Sequence, residues 1–104
     1  MEVIVGQDST VAFRETDDLN SLNLVVVGSP DVRAALLSAG LYEGAGPDAD
    51  HLWLNTQALR DFAAQDAETG SDWADRWDAM ISFAGRHGWT ADEGRRTLVH
   101  VVQA

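Results

Sequence analysis

Leu22-Asn23-Leu24-Val25-Val26-Val27-Gly28-Ser29-Pro30-Asp31 is the stretch around which a fold for this chain has to be built. From Leu22 to Val27 it is apolar at nearly every position, the pattern of a strand covered on both faces and therefore of a central one. Ser29, Pro30 and Asp31 then supply an N-cap side chain, a proline suited to the first helical position and an acid for the positive end of the helix dipole. They predict a helix from Pro30 to Ala39 with Val32, Ala35, Leu36 and Ala39 along one face. Gly40 provides a left-handed stop, after which Leu41 can touch Leu36. Leu37 lies off the stripe and is expected under a loop, an interface being the alternative.

Upstream, Glu2 to Val5 and Val11 to Glu15 are β-favouring runs around the turn-rich Gly6-Gln7-Asp8-Ser9, which predicts a hairpin. Downstream, Tyr42 to Asp50 holds closely spaced glycine, proline and aspartate and reads as the main loop. His51 to Leu54 follows as a short strand. Asn55 is an N-cap for a helix through about Ala64, with Leu54 and Leu59 as a staple across its first turn. From Asp72 to His87, Trp73, Trp77, Met80 and Ala84 recur at helical spacing, and Gly88-Trp89 closes the helix with Trp89 folded back on Phe83 or Ala84. Thr90 to Glu93 has capping-box spacing and predicts one helical turn before a final strand from Arg96 to Val102. Together these elements predict a single α+β domain over residues 1–104. Its sheet has four or five strands, mostly antiparallel, with about three helices packed on one face. A ferredoxin-like arrangement is the alternative.

Seventeen acids oppose seven arginines with no lysine, a formal charge of −10. Residues 1–50 hold nine acids against two arginines and residues 51–104 eight against five, so the halves carry −7 and −3. Such a field repels phosphate backbones and anionic lipid and speeds encounter with a basic protein or a cationic ligand. Nucleic acid is thereby disfavoured as a partner. The longest aliphatic run, Leu24 to Val27, is far below the ~20 residues of a membrane span. The amino terminus lacks the basic start and apolar run of a signal peptide, so cytoplasm is the expected compartment. The absence of cysteine excludes disulfides and thiolate metal sites and fits a reducing compartment. The alanine- and aspartate-rich, lysine-free composition looks like that of a high-GC bacterial chain.

Catalytic signatures are sparse. There is no cysteine and no Gly-x-Ser-x-Gly, and Gly44-Ala45-Gly46 is followed by proline and acids where a phosphate loop needs backbone donors. The sequence calls for no cofactor and no metal. The most suggestive group is Asp48, Asp50 and His51, where carboxylates and an imidazole beside a flexible loop suit a divalent ion or a proton relay. No spaced second set of ligands completes it, and a solvated turn is the plainer account. Trp53, two residues from His51 on the same strand face, is placed at the rim of a pocket. His100, in the last strand, reads as a half-buried histidine bonded to a neighbour, or as part of a sheet pocket. His87 is assigned to terminal carbonyls and Trp73 and Trp77 to the core.

Two functions follow as expectations. The first is a small acidic, non-enzymatic binding or regulatory module that engages a basic protein partner. The second is a small pocket enzyme or ligand carrier using His51 and His100 with Asp48 and Asp50 beside Trp53, which requires these residues to converge in space. Short edge strands and Leu37 also leave room for a homodimer.

Overall fold

The structure is a computed structural model that describes residues 1–66 and 72–104. Its elements in chain order are β1 (Glu2–Val5), β2 (Val11–Arg14), β3 (Asn23–Val26), α1 (Val32–Ser38), β4 (Tyr42–Ala45), β5 (His51–Asn55), α2 (Thr56–Asp66), α3 (Trp73–Arg86), β6 (Thr90–Ala91) and β7 (Arg96–Gln103). The strands form one seven-stranded mixed sheet in the order β2-β1-β3-β7-β5-β4, with β6 paired to β7 beside that path. This corrects the expected four- or five-stranded, mostly antiparallel sheet and its ferredoxin-like alternative. Both β1–β3 and β3–β7 are parallel.

The first parallel pair arises without a helical crossover. The predicted hairpin forms, with Glu2 opposite Arg14 and Val5 opposite Val11. It therefore returns the chain to the start of β1, and residues 15–22 carry it past that end to place Asn23 beside Glu2. β3 is central, as its composition implies, but it is covered on one face only. Leu24 and Val26 are buried while Asn23 and Val25 are half-buried.

Strand alternation explains that difference. Val3, Val5, Leu24, Leu54 and Val99 share a core with Leu36 of α1, Leu59 and Ala63 of α2, and Trp73 and Trp77 of α3. The intervening positions are Ile4, Asn23, Val25, His51, Trp53, Leu98, His100 and Val102, and none of them is buried. The helices thus contribute to one core, and among the described residues none buries the opposite face of the sheet, here called the open face.

The helix ends follow their local chemistry. Asp31, rather than Ser29, caps α1 by accepting from the Ala34 N–H at 3.1 Å. Leu41 N–H donates to the Leu36 carbonyl at 2.9 Å across Gly40, whose φ of +74° an L side chain rarely adopts. Asn55 Oδ1 accepts from Ala58 N–H at 2.9 Å and starts α2. Trp89 N–H reaches the Ala84 carbonyl at 2.8 Å across Gly88 and stops α3. Trp73 Nε1 donates to the Thr16 carbonyl at 3.0 Å, so the buried indole keeps its hydrogen bond and α3 is tied to the segment below β1.

Three local expectations are corrected. Tyr42 to Ala45, read as loop, is strand β4, because Tyr42 packs against the core and a bulge between Tyr42 and Gly44 absorbs the irregular sequence. Thr90 to Glu93 forms no helical turn. Thr90 and Ala91 pair with Thr97 and Arg96, and Asp92 and Glu93 take positive φ to reverse the chain. Leu37 is 53% exposed, so no loop among the described residues buries it. No helix among the described residues is long and apolar enough to cross a membrane.

Trp77 is 2% exposed and lies where α3 meets the shared core. Trp77→Ala should therefore lower stability by about 3–5 kcal/mol in urea unfolding, the range for emptying a buried aromatic site.

Candidate functional site

The site is set by the register of β5 against β7. His51 stands directly opposite His100, Trp53 opposite Leu98 and Asn55 opposite Arg96, all on the open face. Adjacent antiparallel strands hold directly opposed side chains within reach of each other. The His51 and His100 ring centres are accordingly 5.2 Å apart, with the rings tilted by 36°.

The turn before β5 adds the carboxylate. Gly46 N–H donates to the His51 carbonyl at 3.0 Å, and a Cβ on Gly46 would fall on that carbonyl, so only glycine permits so close a turn. Asp48 Oδ1 accepts from the Asp50 N–H at 2.8 Å and lies 2.8 Å from His51 Nδ1. The His51 hydrogen bond first, and the Asp50 amide second, hold the Asp48 carboxyl below its usual range. An ionised carboxylate only accepts, so Nδ1 of His51 carries the shared hydrogen, and in the neutral ring Nε2 keeps a free lone pair.

Asp48, His51 and His100 are thus brought together. Asp50 contributes through its backbone, since its carbonyl accepts from Val101 N–H at 2.7 Å and ties the turn to β7. Trp53 is half-buried under Arg96, whose guanidinium carbon is 5.4 Å from the ring centre. Arg96 Nε is 2.8 Å from Asp92 Oδ2, an ion pair whose angle does not make a hydrogen bond. His100 is exposed rather than half-buried.

A second feature lies on the other side of β7. A cleft of about 640 Å³ runs between α3 and residues 19–23, lined by Leu19, Leu22, Met80, Phe83, Trp89 and Leu98 among others. Phe83 and Trp89 are 48% and 46% exposed at this cleft, a large apolar area to leave in water. The His87 ring packs 4.4 Å from Phe83 and 4.8 Å from Trp89, centre to centre. Only its backbone N–H serves the terminal carbonyls, through Ala84 at 3.1 Å. The sequence carried this cluster as the Phe83–His87 spacing and the Gly88 stop, which together fold Trp89 back. Its exposure was the part without a signal. Neither His51, His100 nor Trp53 lines this cleft or the smaller ones of about 450 and 480 Å³.

Among the described residues no group of three or more histidines, cysteines or acids is arranged to hold a metal ion. Comparison of the chain with protein-family models, with curated proteins and with solved structures finds no match.

The lowered pKa of Asp48 fixes a pH dependence. Its contribution to stability is present above the unfolded carboxylate pKa and is lost as pH falls through the lower folded value. Asp48→Asn should be less stable than the wild type at neutral pH, and the difference should vanish in acid. Urea unfolding of both proteins across that range measures it.

Proposed function

We propose that the chain is an acidic, non-enzymatic binding module whose cleft between α3 and residues 19–23 receives a segment of a basic partner protein. The observation that carries this reading is the exposed pair Phe83 and Trp89 on an apolar cleft in a chain of charge −10. Large aromatic side chains at the mouth of a groove are the residue types that dominate protein–protein affinity. Arg76 lines the cleft, but it is engaged by Asp72 at 3.4 Å and by the Asp17 carbonyl at 2.9 Å. Asp17 and Asp18 directly precede the cleft residue Leu19. An incoming segment with apolar anchors and flanking arginines or lysines therefore meets complementary chemistry at both its faces.

A second reading, a ligand carrier or small enzyme at Asp48, His51 and His100 beside Trp53, is favoured by the approach of the two imidazoles and the carboxylate. The cluster lies on an open sheet face, a geometry better suited to holding a ligand than to excluding water from a reaction.

Titration with a synthetic amphipathic peptide carrying leucine on one helical face and arginine on the other, followed by tryptophan emission, tests the first reading. Saturable binding is expected, weakened at least tenfold in Phe83→Ala and Trp89→Ala and weakened progressively by added salt. Equal binding of a peptide with glutamate in place of arginine, or indifference to both substitutions, would sink it.

A further inference from the structure

We propose that His51 and His100 form a two-histidine site for a first-row divalent transition-metal ion on the open face of the sheet, with Asp48 as the group that orients His51. The inference rests on the ligand-carrier reading of this cluster and names the class of ligand. It is independent of the cleft beside α3.

Geometry is the first support. Two imidazoles that share one tetrahedral ion at nitrogen distances of about 2.0–2.1 Å hold their ring centres about 5 Å apart. The observed separation is 5.2 Å, with the rings tilted rather than stacked. The pair is preset by backbone register, since His51 and His100 are directly opposed on β5 and β7. Bringing the two donors together therefore requires no rearrangement of the chain.

The second support is the environment of His51. Metal-bound histidines almost always donate their other ring N–H to a carboxylate or carbonyl, which fixes the tautomer and raises the basicity of the ligating nitrogen. Asp48 stands in that relation to Nδ1 at 2.8 Å and is itself fixed by the Asp50 amide. Nε2 is thereby left as the donor atom. The carboxylate belongs behind the ligand rather than beside the ion.

Charge and softness select the ion. Asp48 and Asp50 are exposed beside the pair, and the whole chain is negative, so a cation is attracted and an anion repelled. Imidazole suits copper, zinc and nickel, whereas magnesium and calcium take oxygen ligands. With two protein donors the remaining coordination positions take water, and affinity should follow the general order in which Cu²⁺ exceeds Ni²⁺ and Zn²⁺.

Calorimetric titration of the intact chain with Cu²⁺, Ni²⁺ and Zn²⁺ in a non-coordinating buffer, alongside NMR of the histidine ring protons, decides the matter. One equivalent of Cu²⁺ should bind, with no heat from Mg²⁺ or Ca²⁺, and the His51 and His100 ring signals should respond while those of His87 do not. His51→Ala and His100→Ala should each weaken binding at least tenfold, Asp48→Asn by roughly tenfold, and His87→Ala not at all. Circular dichroism checks that each variant folds, and His51→Gln or His100→Gln replaces an alanine variant that does not. Unchanged affinity in the His51 or His100 variants, loss of binding in His87→Ala, or no saturable binding of Cu²⁺ overturns the inference. If small organic metabolites move the His51 and His100 signals while the metals do not, the ligand-carrier reading stands and this one falls.

Discussion

Pairing of β7 along both its edges is the interaction on which the rest of the molecule depends. One edge meets β5 from Arg96 to His100, while the other meets β6 at Arg96 and Thr97 and β3 from His100 to Gln103. Without β7, the sheet separates into β2-β1-β3 and β5-β4, and β6 loses its strand partner. The strand is also tied to the helical layer. Val99 is fully buried in the shared core, and the Thr97 and Thr56 hydroxyls are 2.7 Å apart where α2 begins. The pairing joins residues far apart in the chain, so the entropy of closing long loops is incurred before these contacts form.

The helical layer on one face gives the alternation of β7 its direction and with it the face on which the two histidines meet. Thr97 and Val99 face the core, while Arg96, Leu98, His100 and Val102 fall on the open face. A shift of pairing by one residue would exchange these sets. It would carry the histidine into the core and expose the valine. Hydrophobic burial thus enforces the register that sets His100 opposite His51, and the geometry of the cluster is stabilised by the whole sheet rather than by the cluster's own weak contacts.

Features governed by neighbours in sequence were legible and those governed by distant partners were not. The caps and stops at Asn55, Gly40 and Gly88 could be read because each signal lies within a few residues of its effect. The parallel pairing of β1 with β3 and of β3 with β7 has no local signature. The short return path that permits the first of these pairs depends on where the hairpin leaves the chain. Tyr42 to Ala45 was misread because the glycine that suggests a loop is equally at home in a bulge. Thr90 to Glu93 was misread because capping spacing is a weak preference, and β7 offers those residues a strand partner instead. At the site, the Asp48–His51 contact was within reach of sequence, and His100 could be named as a candidate, but its convergence with His51 could not be read. His100 lies 49 positions further on, and only the β5–β7 register shows that the two histidines are neighbours.

Leu98 links the two features of the surface. Leu98 lies opposite Trp53 on the open face and is also among the residues lining the cleft beside α3, where its N–H donates to the Trp89 carbonyl at 2.8 Å. His100 is two residues along the same face, a separation of about 6.4–6.8 Å in a strand. The net negative charge acts on both in the same direction, since basic side chains approaching the cleft and a cation approaching the imidazoles are attracted by one field. The two features also differ in what they ask of an occupant. The cleft offers apolar area, so the proposed peptide would gain affinity through burial, whereas the proposed metal ion would gain it through coordination by the two imidazoles. Salt would separate the two proposed occupants, since it screens the charged rim of the first and leaves the donor bonds of the second in place.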